Sequence, residues 1–331
     1  MRSGCFLHCQ GILGTCIAAD PIVQFLTKPE GGSAWGGNKM GLHSEEYQRL
    51  VLDDLKNLEG LSHPVKASLP ERLFVRKTST DNLHPNPKDE FSDPKIGPNY
   101  EIVSNYVDGY RYAIESHYDP FLDQDPLQVT KVSGGGYMLL NGHHRWMAAE
   151  RVGLDPMKIH IVNIPSDDDV ISKIKSSDKK VCVSFDLDEV LLTDGKRCPA
   201  APNFIFPFNL IYKKRLRKNA HLLINELRRM GFEVWVYTGE FYSDDYVNFM
   251  FKLCGTKIDG VVCGSKRQKN DHRVSRAFTE KFDVSVQIFN QMISVVNNRT
   301  KEFNVEQIPE SGSAWASSAI TTLKKIAFSA G

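Results

Sequence analysis

The chain has 331 residues, 41% hydrophobic and 24% charged, enough for two globular domains with separate cores. Its 41 Lys and Arg against 40 Asp and Glu leave a formal net charge of +1, which gives no overall argument for nucleic acid or a membrane surface as partner. Seven scattered cysteines without a CxxC pair make no disulfide framework, and a reducing cytoplasm is the expected compartment.

Near the N-terminus, Cys5, His8, Cys9 and Cys16 match no zinc spacing. The mildly apolar residues 5–19 are interrupted by His8 and Gln10 and preceded only by Arg2, so they read neither as a signal peptide nor as a membrane span. Residues 1–70 are expected to be an extension. In it a Gly-rich loop leads to a helix opened by Ser44, Glu45 and Glu46, with Tyr47, Leu50, Val51 and Leu55 at helical spacing for docking on a neighbour.

Residues 71–165 alternate short strands and helices, with LFVRK, the turn HPNP, a Tyr-rich helix near Tyr106 to Ser116, PLQVTKV, GGGYMLLNG and HHRWMAAERVG. They predict one compact α+β domain. The polar stretch 166–179, SDDDVISKIKSSDKK with its flanking Lys, is expected to be a charged linker. Residues 180–300 hold four apolar runs, VCVSF, FEVWVY, DGVVC and VSVQIF, separated by helix-like segments. That alternation predicts a parallel sheet with crossover helices, giving the whole chain an α/β class. Residues 301–331 are a tail with one further helix, and the repeated GSAW at 32–35 and 312–315 is too short to be a structural repeat.

Two places carry chemistry. The first is NGHHRWMAAERVGL, where a strand runs into Gly142 and then His143, His144 and Arg145 open an amphipathic helix. A glycine turn followed by N–H groups, imidazoles and a guanidinium predicts an anion site at a helix start. At these residues, and upstream at DNLHPNP and DPLQVTKVSGGGYMLL, the segment resembles the ParB/sulfiredoxin-like superfamily over about ninety residues. The resemblance implies a bound nucleotide, with ATP, ADP and CTP not distinguished. Sulfiredoxins place a reactive Cys where His143 stands; the GHHR form is closer to the family's free-serine kinases, whose early motif supplies an acidic base. Glu90, or Asp89 beside it, occupies a comparable place here. No helix-turn-helix region follows, so a DNA-partitioning role is not implied.

The second place is the end of VCVSF, where Asp186 and Asp188 stand two residues apart at a strand tip. One such carboxylate can attack a phosphoryl group while the other moves the proton of the leaving oxygen. FDLDEVL resembles the first motif of the haloacid-dehalogenase superfamily. The resemblance implies an aspartyl-phosphate on Asp186, with Asp188 as acid/base and Mg²⁺ as cofactor. It also implies that the Thr238 hydroxyl and a backbone N–H, at Gly239, hold phosphoryl oxygens, and that Lys269, or alternatively Lys266, neutralises the phosphoaspartate. Where the family's metal-binding acid would follow VSVQIF, this chain has Phe289, Asn290 and Gln291; of these Asn290 can offer an oxygen.

About fifty residues separate Asp188 from Thr238, which leaves little room for a cap domain. KKRLRK, from Lys213 to Lys218, lies in that interval and could draw a polyanion such as a nucleic-acid end. The expected function is Mg²⁺-dependent phosphomonoester hydrolysis by the C-terminal domain beside a nucleotide-binding N-terminal one. A nucleotide-dependent kinase centred on Gly142 to Arg145 and Glu90, and a nucleotide- or nucleic-acid-binding protein with a decayed phosphatase site, are the two alternatives.

Overall fold

The computed structural model describes residues 45–122, 124–196, 198–264, 272–289, 292–308 and 312–329. It is a mixed α/β structure built on two six-stranded sheets and a two-stranded antiparallel sheet. Among the described residues no helix is long and apolar enough to cross a membrane.

The first unit begins with a helical stretch, π-wound over Gln48–Leu52 and continuing as α1 (Asp53–Asn57). It docks as its apolar spacing predicts: Val51 is fully buried, and Glu46 accepts from Arg151 Nε at 2.7 Å. β1 (Pro64–Val65) is followed by α2 (Leu69–Leu73), whose first turn is closed by a Ser68–Glu71 capping box. β2 (Arg76–Thr78), β3 (Leu83–His84) and α3 (Tyr100–Glu115) come next. α3 starts where the Asn99 side chain accepts from the N–H groups of Glu101 and Ile102, and it buries Val103, Val107 and Tyr110 along one stripe. β4 (Leu127–Val132), β5 (Tyr137–Leu139), α4 (His143–Val152) and β6 (Met157–Ile161) complete the unit. Its sheet order is β2-β6-β4-β5-β3, with β1 also paired to β4.

The segment expected to be a linker is instead a helix, α5 (Asp167–Ser176). Ser166 and Asp169 form a second capping box, and Val170 and Ile174 pack with Trp235, Val274 and Phe278. Two buried aliphatic side chains one turn apart are enough to seat it, and its charges remain on the open face.

The second unit runs β7 (Val181–Asp186), β8 (Leu192–Thr193), α6 (Phe208–Ile211), β9 (Arg215–Leu216), α7 (Ala220–Arg229), β10 (Glu233–Tyr237), α8 (Asp244–Leu253), β11 (Gly260–Val262), α9 (Arg273–Lys281), β12 (Val284–Phe289), β13 (Met292–Asn297), β14 (Phe303–Gln307) and α10 (Trp315–Ser329). Its sheet order is β11-β10-β7-β12-β13-β14. The four strands predicted from sequence run parallel to one another, but the sheet is mixed rather than parallel. β12 turns straight back into antiparallel β13, with Phe289 paired to Met292, and β14 adds a further antiparallel edge.

The described residues 303–307 and 315–329 are thus no detached tail. β14 belongs to the sheet, and α10 brings Trp315, 1% exposed, into the core formed with Leu223, Ile224 and Leu227 of α7. Close packing elsewhere is equally specific: a Cβ on Gly260 would lie 2.1 Å from the Trp235 ring, so only glycine lets β11 pass beneath that indole.

Candidate functional site

Strand β7 lies in the middle of its sheet, with β10 on one side and β12 on the other. Successive strands diverge to both sides of it, and such a switch point leaves a crevice at the carboxyl ends. Asp186 is the last residue of β7, delivered there by the fully apolar neighbours Val183 and Phe185 beneath it. Its Oδ1 accepts from the N–H groups of Asp188 at 3.0 Å and Glu189 at 2.9 Å, closing a π-wound turn over Leu187–Leu191. That turn carries Asp188 back over the strand tip, while Leu187, Val190 and Leu191 enter the core.

Parallel pairing of Tyr237 with Asp186 sets the next residue, Thr238, at the same edge. Thr238 is fully buried, and its Oγ1 donates to Asp188 Oδ2 at 2.6 Å while accepting the Glu240 N–H at 3.0 Å. The other Asp188 oxygen accepts from Tyr242 Oη at 3.2 Å. Lys214 Nζ donates to that phenol oxygen at 3.3 Å and lies 4.0 Å from Asp188 Oδ1. Burial, reinforced by the Asp188 charge, pushes the Tyr242 phenol well above its ordinary range and keeps it a proton donor.

Three expected residues, Asp186, Asp188 and Thr238, therefore meet, with Gly239 next in the chain. Lys269, its alternative Lys266, and Asn290 lie outside the described residues. Tyr242 was missed by sequence reading because a Tyr in a loop has no periodic signature. Lys214 was noticed only as part of a charge run, and that run is broken up in the structure. Arg217 is 6% exposed and covers the Trp315 ring at 4.1 Å, Arg215 donates to Ala201 O at 3.3 Å, and Leu216 is buried. Only Arg215 and Leu216 of KKRLRK are strand, and with Leu216 and Arg217 buried the run does not form a continuous basic face.

A divalent cation on phosphoryl oxygens takes hard oxygen ligands. Asp186 and Asp188 are donors of that kind. However, no third His, Cys, Asp or Glu joins them among the described residues. Pairing of Ile288 with Phe185 sets Phe289 abreast of Asp186, where its ring offers no ligand. The described side chains do not complete a Mg²⁺ shell.

The GHHR turn is built differently from expectation. Gly142 has φ +91°, and a Cβ there would stand 2.3 Å from Leu127 Cδ2, so glycine is required. The three polar side chains that follow are used inside the protein. His143, 4% exposed, accepts the Asn86 N–H at 3.2 Å and lies 5.1 Å from the Phe91 ring. His144 accepts the Asn99 N–H at 3.0 Å, and burial holds its pKa below the ordinary value despite Asp89 nearby. Arg145, 8% exposed, donates to Asp125 O. The two histidine contacts pin the loop between β3 and α3 onto α4, and the arginine contact holds the segment before β4. The acid beside His143 is Asp89, 3.9 Å from Nδ1, whereas Glu90 is exposed at the start of a short 3₁₀ turn.

The two units meet along the loop that carries Thr238 and Tyr242. Gln128 Nε2 donates to Phe241 O at 3.3 Å, Asn163 N to Ser243 Oγ at 2.9 Å, and Asp244 N to Asn163 O at 3.3 Å. Arg72 makes a bidentate pair with Asp245 at 2.6 Å for each contact, and Phe241 packs on Leu140 and Val162. A cleft of about 260 Å³ opens beside this junction, lined by Asn86 to Asp89, Leu140 and Phe241 among others. It is smaller than the roughly 300–1,000 Å³ of ordinary ligand pockets. Its rim cations are occupied, Lys88 by Asp167 at 2.9 Å and Arg273 by Asp168 at 3.1 Å.

Comparison with models of known protein families finds no match, and no match is found among curated proteins.

Proposed function

We propose that the C-terminal unit hydrolyses phosphomonoesters through an aspartyl-phosphate. The observation that carries this reading is the Asp188 carboxylate, fixed by Thr238 at 2.6 Å beside Asp186 at the tip of the central strand. The resemblance of FDLDEVL to the haloacid-dehalogenase motif supports it, as does a sheet whose central strand has parallel neighbours on both sides.

In this reading an Asp186 oxygen attacks phosphorus as the ester P–O bond breaks, and Asp188 gives its proton to the departing oxygen. Water then attacks the aspartyl-phosphate and Asp188 takes its proton. Cleavage of the P–O bond to Asp186 releases phosphate, and leaves Asp186 a carboxylate and Asp188 protonated as at the start. The Gly239 N–H would steady a phosphoryl oxygen, while the Thr238 hydroxyl proton holds Asp188. Mg²⁺ is proposed as the activating ion because phosphoryl charge needs a counter-charge.

The test is turnover of a generic phosphomonoester panel with Mg²⁺ and with a chelator. Wild type is expected to release phosphate, and Asp186→Asn to release none. A wild type inert on the whole panel would sink the proposal.

A further inference from the structure

In the hydrolase reading Asp188 delivers its proton to the leaving-group oxygen, so the groups at its Oδ1, the oxygen that Thr238 does not hold, lie on the leaving-group side. Those groups, Tyr242 and Lys214, come from outside the recognised motifs. Tyr242 is fixed before any substrate arrives: its ring stacks on Tyr246 at 6.0 Å with 5° between planes, and Tyr246 packs on Tyr212 at 4.5 Å. Lys214 sits at the base of the segment between β8 and β9, its side chain 60% exposed. It therefore keeps its charge without a large desolvation cost.

The Lys214 ammonium lies 4.0 Å from Asp188 Oδ1 and 3.3 Å from Tyr242 Oη, on the same side of the carboxylate as the phenol. A leaving group that reaches Asp188 from that side comes within range of an exposed cation, and a second anionic group on the substrate would meet it there.

Resting on the hydrolase reading, we infer that Tyr242 is a positioning residue for Asp188, and that Lys214 selects phosphomonoesters whose leaving group carries an anionic substituent, a carboxylate or a second phosphate. An exposed ion pair of this kind contributes up to about 1 kcal/mol, or roughly fivefold in kcat/KM. Loss of a hydroxyl hydrogen bond to a carboxylate corresponds to about ten- to a hundredfold.

The experiment compares phenyl phosphate with 3-carboxyphenyl phosphate, whose leaving groups differ chiefly in charge. Wild type is expected to favour the carboxylated ester by about fivefold in kcat/KM. Lys214→Met should erase that ratio through KM, and Lys214→Arg should retain it. Tyr242→Phe should lower kcat on both esters and leave the ratio in place. A wild type that turns over both esters without preference, or a preference that survives Lys214→Met, overturns the inference while leaving the hydrolase standing. Failure of the wild type on both esters overturns the hydrolase reading and this inference with it.

Discussion

The Thr238 hydroxyl donates to Asp188 Oδ2 at 2.6 Å and accepts the Glu240 N–H at 3.0 Å, joining two strand ends through one buried side chain. Thr238→Val keeps the shape and removes both bonds. It is expected to lower phosphomonoester turnover by about ten- to a hundredfold, the weight of a hydrogen bond to a charged group. Thr238→Ser keeps the hydroxyl and should retain most activity. Steady-state kinetics on the two variants checks this, and equal losses in both would show that the hydroxyl is not the operative group.

How much of this was legible beforehand depends on the kind of signal. β7, β10 and β12 stand out as apolar runs of strand length, Asp186 and Asp188 stand where the first of them stops, and Thr238 is singled out only through the motif resemblance. Tyr242 did not, because its role comes from a loop crossing Asp188, and loops have no period. α5 was read as a linker because only Val170 and Ile174 of its ten residues are buried, too sparse a stripe against so many charges. The GHHR turn was located correctly as a glycine turn opening a helix. Its partners were not foreseeable, since the N–H groups of Asn86 and Asn99 that occupy the histidines are more than forty residues away in sequence.

Gly142→Ala is expected to destabilise the first unit by about 2–5 kcal/mol, combining the left-handed backbone with a methyl forced against Leu127. Denaturant unfolding followed by the fluorescence of Trp146 would read it, since that residue is buried on α4. A loss below 1 kcal/mol would mean that the turn relaxes.

Acid should weaken the protein through His144. Its folded pKa lies below the ordinary 6.5 because it is buried, so the unfolded chain binds the proton first as pH falls. Stability is full above pH 6.5 and declines as pH drops from there toward the folded pKa, by at most ~1.4 kcal/mol per pH unit for one proton. The difference in unfolding free energy between wild type and His144→Gln should change with pH only in that range. A difference constant from pH 7.5 to 5 would refute the assignment.

Trp315→Ala should cost about 3–5 kcal/mol, as large core deletions do. The indole is buried, carries the Arg217 guanidinium at 4.1 Å, and donates from Nε1 to Lys218 O at 2.8 Å. The segment from Arg215 to Lys218 is held from below by this ring, so Lys214 should lose its place along with the stability. Thermal unfolding of the variant, read beside its ester preference, tests both effects.

Gln128 and Asn163 belong to the first unit, yet they hold the backbone of Phe241, Ser243 and Asp244 in the second. The consequence is one of inheritance. A recombinant that joined this C-terminal half to a foreign N-terminal half would keep every reacting residue and still lose the scaffold of the Thr238–Tyr242 loop. Substitutions at Gln128 and Asn163 should thus be tolerated only alongside compensating changes across the junction, and the two halves are expected to diverge together.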